Sequence, residues 1–241
     1  LTVTNVPCSD LIISEYVEGS GSNKYIELFN GTGGNVDLST YSLRLYSNGS
    51  STVSASQPLS GILPSGGTIV YKNSAATVYT GTAIVLPNTS PINFNGNDAF
   101  ALAHNGINID IIGQIGFNPG TAWTGGSAST LDRTLIRKRT VQVGDSNGFD
   151  TFSPNVEWLS FPINSVSELG YHFNDCYPDK ELQLELPVGT VVYCGYNYEF
   201  GSQIINTNTD IILRLRNLGS LPLQINSLGL TTGAQYTVVG A

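Results

Sequence analysis

The sequence predicts an all-β sandwich, and three observations lead to this prediction. Apolar residues recur with a period of two, which is the period of a half-buried strand. Turn-forming residues separate these stretches every eight to fifteen positions, as in sandwiches rather than in βαβ folds. The composition is rich in Gly, Ser, Thr and Asn and contains no Met, which suits short strands joined by tight turns.

The individual strands follow from the same alternation, and no stretch of ten residues has helical periodicity. Asn105 and Gly106 separate two alternating stretches and predict a type I′ hairpin turn, in which His104 is a polar turn residue. The predicted strands cover residues 11–18, 24–29, 41–46, 68–72, 98–103, 107–112, 135–139, 211–216 and 221–225.

The charge balance limits the classes of partner. The net charge is −8, with 18 acidic and 10 basic residues. Tight binding to a nucleic-acid backbone needs a clustered basic surface, so we expect nucleic acid to be a partner only through a linked nuclease domain. No apolar run is long enough to cross a membrane, and no signal-peptide pattern is present. We expect no membrane insertion and a start at Leu1 that is mature or internal.

The chain is predicted to hold one complete domain and part of a second. Residues 1–175 form the first domain, and residues 176–180, which contain a cysteine, a proline and acidic side chains, form a linker. Residues 181–241 alternate again but supply five or six strands, where a sandwich of the immunoglobulin kind uses about seven. We therefore expect the second domain to be incomplete and the polypeptide to continue.

Six motifs follow one another along the first domain. They are Asp10–Asn30, Val36–Leu43, Phe94–Leu102, Asp110–Gly116, Thr134–Lys138 and Val156–Trp158. In content and order they resemble the motifs of bacterial lamin-tail domains, and the resemblance covers about residues 8–175.

The resemblance implies an immunoglobulin-like β-sandwich without catalytic residues or a cofactor. Domains of this family accompany extracellular nucleases, phosphatases and surface proteins, often ones exported with a C-terminal sorting domain of the type IX pathway. Residues 216–225 resemble the strand-turn-strand of choice-of-anchor D or Hydin-like immunoglobulin-like domains. The resemblance implies a secreted or cell-surface location.

Two glutamates are predicted to face each other on the first strand pair. Pairing residues 11–18 with 24–29 across the loop Gly19–Asn23 sets Glu15 directly opposite Glu27. Like charges opposed on one face of a sheet are destabilising unless a cation or solvent separates them.

Two hypotheses account for this carboxylate pair. Glu15 and Glu27 bind a hard cation, for which Ca²⁺ is the candidate, with a backbone carbonyl or Asn30 as a further ligand. Alternatively, the two side chains are structural and either cap loops or pair with Arg44 or Lys24. The lack of an Asp-rich ligand loop favours the structural hypothesis, and such ordinary strand neighbours do not define a glycosidase pair.

The three cysteines show no metal-ligand spacing. Cys8 precedes the first strand and Cys176 follows the last strand of the first domain, so a disulfide between them would join the ends of that domain. A bond between Cys176 and Cys194 is the alternative.

Two features are candidate ligand contacts. Arg137 and Arg139 belong to a basic stretch that spans residues 133–139, whose charges alternate between the two faces of the predicted strand. A strand with basic ends is one interpretation, and an anion-binding patch is the other. Trp123 lies in the Gly-rich loop Gly116–Gly126, where its ring either presents a sugar-stacking platform or pins the loop to the sandwich.

Two functions remain as hypotheses. The chain is a non-catalytic secreted or surface region for adhesion or scaffolding, which contacts an extracellular protein or glycan and other domains of the same polypeptide. Alternatively, it is an accessory region of a secreted hydrolase, for which a nuclease is the candidate, with its catalytic domain outside these residues. Neither histidine, His104 or His172, stands in a nucleophile motif.

Overall fold

A computed structural model describes residues 7–176 and, after them, 182–187, 189–192, 199–202, 204, 207 and 209–217. The chain divides into two compact units, one formed by Asn5–Tyr177 and the other by Leu1–Thr4 with Pro178–Ala241. The division falls within the predicted linker.

Strands dominate the described residues, as the sequence predicts. The strands of the first unit are β1 (Ile12–Glu18), β2 (Lys24–Phe29), β3 (Val36–Asp37), β4 (Tyr41–Tyr46), β5 (Ala55–Pro58), β6 (Ile62–Leu63), β7 (Thr68–Asn73), β8 (Ile84–Leu86), β9 (Ala99–His104), β10 (Ile107–Ile112), β11 (Thr124–Gly125), β12 (Ala128–Ser129), β13 (Arg133–Arg137) and β14 (Trp158–Phe161). One short helix, α1 (Pro154–Glu157), precedes β14, and two 3₁₀ turns cover Leu38–Thr40 and Ser47–Gly49.

Two sheets form the sandwich. The larger sheet has six strands in the order β14-β13-β1-β2-β7-β8, and the smaller has four in the order β10-β9-β4-β5. Their facing sides share one apolar core, because alternate residues of each strand point inward. Tyr16, Ile26 and Leu28 come from the larger sheet, whereas Phe100 and Leu102 come from the smaller.

The predicted hairpin at residues 105–106 is confirmed. Asn105 and Gly106 have φ of 49° and 82° and connect β9 to β10, as a type I′ turn requires. His104 is the last residue of β9 rather than a turn residue.

The outer face of the larger sheet is also covered, which alternation alone does not predict. Residues 164–176, here called the strap, cross this face, and Leu169 of the strap packs with Val17, Tyr25 and Val70 of the sheet. Every residue of β1 and β2 is therefore buried. Buried polar and charged side chains interrupt the apolar surface of β1 and β2, among them Glu15 and Glu27.

In the second unit, β15 (Leu182–Glu185) lies between β16 (Val191–Val192) and β17 (Arg214–Asn217), and both pairings are antiparallel. The strand predicted over residues 211–216 is shorter and begins at Arg214. The strand predicted over residues 221–225 lies outside the described residues. No helix among the described residues is long and apolar enough to cross a membrane.

Candidate functional site

The predicted register of the first strand pair is confirmed. Glu15 lies opposite Glu27, and both side chains are buried, with exposed fractions of 1% and 0%. Glu27 accepts hydrogen bonds from the Ser14 hydroxyl at 2.7 Å and from the backbone N–H of Gly170 at 2.6 Å. Among the described residues, no partner reaches Oε1 of Glu15.

Burial changes the protonation of this pair. Burial, together with the nearby Glu27 and Glu168 carboxylates, raises the pKa of Glu15 to about 9. Burial also raises the pKa of Glu27, but only to about 7, because bonds from Ser14 and from backbone N–H groups of the strap favour its charged form. At neutral pH, Glu15 is therefore the protonated member of the pair.

The pair does not have the surroundings of a calcium site. Calcium takes six to eight oxygen ligands, whereas the groups that contact Glu27 are hydrogen-bond donors. Asn30, the predicted additional ligand, donates instead to Gly34 and Leu63 carbonyls. In the described part of the chain, no three His, Cys, Asp or Glu side chains converge as metal ligands would.

The cations predicted to neutralise the pair lie elsewhere. Lys24 bonds to Glu18, and Arg44 donates to the Gly106 carbonyl at 3.0 Å. Protonation of Glu15, rather than a salt bridge, is thus what makes the buried pair compatible with the fold.

Arg137 is buried rather than exposed at the surface, which favours a structural role over an anion-binding patch. Its side chain is 1% exposed and binds both carboxylate oxygens of Asp110 at 2.6 Å. Its Nε donates to the Ile13 carbonyl at 3.0 Å, and its guanidinium carbon lies 4.0 Å from the centre of the Trp158 ring. It also pairs with Glu157.

Two irregularities in the strands bring Arg137 and Asp110 together. The register shifts between Ile13 and Glu15 in β1 and between Asn108 and Asp110 in β10. Such bulges re-aim side chains and free backbone groups. Asp110 uses this geometry to accept the Ile13 N–H at 2.7 Å, so the ion pair ties the two sheets together.

The other basic side chains of this stretch also bond to protein oxygens. Arg139 binds Asp175 at 2.6 Å, at the surface. Lys138 donates to backbone carbonyls of Asn155 and Val156, and Arg133 donates to the carbonyl of its neighbour Asp132. These contacts favour the interpretation of a structural strand with basic ends.

Trp123 is buried, so the expectation of an exposed sugar-stacking platform at this position is wrong. Only 5% of the residue is exposed, and its ring meets Phe152 edge-on at 6.0 Å. Gly113 has φ of 91°, and a Cβ there would lie 2.8 Å from the Trp123 ring. The ring therefore pins the loop Gly116–Gly126 to the sandwich.

The structure joins Cys8 to Cys176, the first of the two predicted pairings, with Cα atoms 5.2 Å apart. Gly31 passes beside this disulfide, where a Cβ would meet the sulfur of Cys8, and accepts the Cys8 N–H at 2.9 Å. The bond anchors the end of the strap to the start of the first unit. Cys194 lies outside the described residues.

A cleft of about 310 Å³ opens between the edge strand β14 and the strap. Leu159 and Phe161 of β14 line one side, and Tyr171 and Phe173 of the strap line another. All four side chains are exposed, Tyr171 most of all at 53%. Sequence alternation does not reveal this cleft, because its walls come from segments that only the folded chain brings together.

His172 separates the two exposed aromatic residues of the strap and also lines the cleft. The residue is 8% exposed, and its ring packs edge-on against Phe29 at 5.1 Å. Burial, assisted by the nearby positive charge of Arg137, lowers the pKa of His172 to about 4. The imidazole is therefore neutral at physiological pH, and its Nε2 has no hydrogen-bond partner among the described residues.

A second polar cluster is partly buried at a position where the sequence indicated only a polar turn. Nδ1 of His104 lies 2.8 Å from Asp10, and the Tyr41 hydroxyl donates to the same carboxylate at 2.5 Å. The rings of Tyr41 and His104 stack at 4.1 Å. The signal that could have revealed this cluster is the antiparallel pairing of β4 with β9, which sets Tyr41 opposite His104.

Comparison with known proteins identifies part of the first unit. Residues 5–116 match the model of the family described as Lamin Tail Domain. The match covers β1 to β10, slightly less than half of the chain, and confirms the predicted resemblance for these residues. No curated protein matches the chain. The choice-of-anchor D or Hydin-like character of the second unit stays a prediction.

The matched family is one of immunoglobulin-like domains, in agreement with the two-sheet sandwich. The walls of the cleft, which come from β13, β14 and the strap, lie beyond the matched residues.

Proposed function

We propose that this chain is a non-catalytic binding and scaffold region of a larger secreted or cell-surface bacterial protein. Its first unit contacts an extracellular protein or glycan through the cleft between β14 and the strap. The observation that carries the proposal is the set of exposed apolar side chains around this cleft, formed by Leu159, Phe161, Tyr171 and Phe173.

Clustered apolar exposure is costly in water and is typical of interaction sites. A partner that covers this apolar surface would gain about 25 cal/mol of binding free energy for each Å² that it removes from water. Because β14 has β13 as its one hydrogen-bonded neighbour among the described strands, the site lies at an open edge of the sheet.

The placement of the ionisable residues supports a role without catalysis. The Glu15 and Glu27 pair, which has the raised pKa values sought in an acid–base site, is sealed beneath the strap and away from substrate. The Cys8–Cys176 disulfide supports an extracellular location, because disulfides persist mainly in oxidising compartments.

The alternative role beside a secreted nuclease stays a prediction without structural support. That role would use the basic stretch to steer DNA, and the four basic side chains of residues 133–139 each bond to protein oxygens.

Binding of the whole chain to an immobilised glycan array and to a displayed peptide library tests the proposal. We expect at least one ligand whose affinity falls about tenfold or more on Phe161→Ser and on Phe173→Ser, since each change removes apolar contact area. Phe149→Ser is the matched control, because Phe149 is 72% exposed and does not line the cleft. If neither cleft variant changes the affinity for any ligand, the proposal is contradicted.

A further inference from the structure

The open side of β14 presents backbone groups without a partner. An antiparallel ladder uses every second residue of a strand for hydrogen bonds to one neighbour. The Lys138 N–H donates to the Glu157 carbonyl just before β14, and from there the register assigns the bonds to β13 to Leu159 and Phe161. The backbone N–H and C=O of Ser160 therefore point to the open side, where neither has a partner among the described residues.

An extended peptide is the ligand that matches such an edge. Alternate residues of an added strand turn their N–H and C=O toward the neighbouring strand, so a peptide can supply both missing bonds of Ser160. Pro162 follows β14 and has no N–H, which ends the edge at this point. Because the pairing site is short, side chains of the peptide have to supply much of the affinity.

The cleft lies on the side where those side chains can reach it. Leu159 and Phe161 of β14 point to the cleft, whereas Trp158 points to the core. Every second side chain of an added strand lies next to Leu159 and Phe161 in the same way. A long side chain at that position can extend over Phe161 toward Glu168 and Tyr171 of the strap, which line the cleft.

The charges around the cleft favour a cationic side chain. Arg137 and Arg139 line the cleft, but Arg137 pairs with two carboxylates and Arg139 pairs with one. Glu168 also lines the cleft and is exposed, and no basic side chain pairs with it in the described part of the chain. The whole chain has a net charge of −8. A cationic group is therefore attracted to this site, and an anionic group is repelled.

The aromatic wall of the cleft suits the same cationic group. The rings of Tyr171 and Phe173 are nearly perpendicular, at 87°, with centres 4.6 Å apart, and both side chains are exposed. The negative face of an aromatic ring attracts a cation, and the Glu168 carboxylate nearby adds to this attraction. The apolar stem of a lysine or arginine can at the same time cover the ring of Phe161.

We propose that the open edge of β14 binds an extended basic peptide segment of a partner protein. The segment adds a strand to β14 through Ser160, and one of its lysine or arginine side chains lies in the cleft beside Glu168 and the ring of Tyr171. A second copy of this chain fits less well, because both copies carry the same negative charge. This inference rests on the proposed binding function and names the partner class of the same site.

Calorimetric titration of the whole chain with three six-residue peptides, each acetylated and amidated at its ends, tests the charge preference. Val alternates with Lys in the first peptide, with Gln in the second and with Glu in the third. We expect the Lys peptide to bind about tenfold more tightly than the Gln peptide, and the Glu peptide to bind more weakly than either. Lack of binding by the Lys peptide, or equal affinities of the three, would overturn the inference.

A pair of matched variants tests the position of the cation. Glu168→Gln should remove most of the preference for Lys over Gln, because it removes the exposed carboxylate of the cleft. Asp150→Asn removes one exposed charge that does not line the cleft and should leave the preference unchanged. If the two variants lower the preference equally, the peptide responds only to the net charge, and the assignment to the cleft is wrong.

Strand addition is tested without altering the protein. Two further Lys peptides carry N-methyl groups, one on its Lys nitrogens and the other on its Val nitrogens, so each blocks one edge of the peptide strand. We expect one version to lose binding and the other to keep it, and equal affinities of the two would overturn strand addition. The amide ¹H resonance of Ser160 should also move downfield as the unmethylated Lys peptide is added, and an unmoved resonance would count against the inference.

Failure of the basic strand can be told apart from failure of the binding function. If ligands from the glycan array or the displayed library lose affinity on Phe161→Ser and Phe173→Ser while the Lys peptide does not bind, the basic strand is excluded but the binding function stands. If no ligand responds to those two variants, the binding function itself fails.

Discussion

Glu15 and Glu27 face each other across β1 and β2, buried beneath the strap, and no basic side chain among the described residues pairs with either. Their folded-state pKa values, about 9 and about 7, lie above the usual value of 4.5. Between about pH 4.5 and about pH 9, the folded chain holds more protons on this pair than the unfolded chain does. The pair therefore lowers the free energy of unfolding as pH rises. The contribution is most favourable below about pH 4.5, and the penalty is complete above about pH 9.

Glu15→Gln should stabilise the protein at alkaline pH. The amide keeps the shape of the carboxyl, cannot ionise, and replaces an oxygen that has no described partner. We expect the free energy of unfolding at pH 8 to rise on the order of 3 kcal/mol, with little change at pH 5. Urea denaturation of the variant and the wild type from pH 5 to 9 measures this difference. An equal effect at both ends of the range would contradict it.

Glu27→Gln should stabilise the protein less than Glu15→Gln at alkaline pH, although it removes one charge of the same pair. With a pKa of about 7, Glu27 is largely protonated at pH 5, so one of its oxygens already carries a proton, as the amide nitrogen does. At pH 8 its charged form accepts from Ser14 and from the Gly170 N–H, and these bonds hold its pKa below that of Glu15. We therefore expect little change at pH 5 and, at pH 8, a smaller rise in the free energy of unfolding than Glu15→Gln gives. The same denaturation series gives both values, and a loss at pH 5 would show that Glu27 is still charged there.

The Glu15–Glu27 register could be predicted because features that are local in the sequence determine it. Period-two alternation sets the face of each residue, and the short loop Gly19–Asn23 fixes the pairing. The same rule gave β2, β4 and β10 their observed bounds. Burial of the pair could not be predicted, because the covering strap is distant in sequence.

Arg137 shows the same limit for a charged residue. In the sequence it is one of several basic residues on a strand, and Arg139 beside it is indeed exposed. Its burial depends on bulges in β1 and β10 that present Asp110 and the Ile13 carbonyl to one point. The local sequence does not indicate where these bulges occur. The burial of Arg137 therefore depends on tertiary contacts, which strand alternation does not predict.

Arg137→Met should be strongly destabilising. The change leaves the Asp110 carboxylate buried without its cation, and the loss of one partner of such a pair costs about 3–5 kcal/mol. Arg139→Met is the matched control, because its pair with Asp175 is at the surface and such pairs contribute about 0–1 kcal/mol. Urea midpoints at pH 7 compare the two variants, and similar losses would show that the buried pair is not a tie between the sheets.

The Cys8–Cys176 disulfide should make its own contribution to the free energy of unfolding. Cys8→Ala with Cys176→Ala is expected to lower the free energy of unfolding by about 2–5 kcal/mol, because the bond constrains a long loop of the unfolded chain. Cys194→Ala is the control and should change little. In denaturant, thiol titration should give one free thiol before reduction and three after it. A large loss from Cys194→Ala would instead support the pairing of Cys176 with Cys194.

Trp123 and the strap aromatics allow stability and ligand contact to be separated. Trp123→Ala removes a buried ring that packs on Phe152 and should lower the free energy of unfolding by about 3–5 kcal/mol. At a temperature where this variant is still folded, its affinity for a ligand found on the glycan array or in the peptide library should match the wild type, because Trp123 does not line the cleft. Tyr171→Ala should show the reverse pattern, with little loss of stability and weaker binding, since Tyr171 lines the cleft and is more than half exposed. If Trp123→Ala abolished binding without changing the urea midpoint, the ligand contact would lie in the Gly-rich loop and not on the strap.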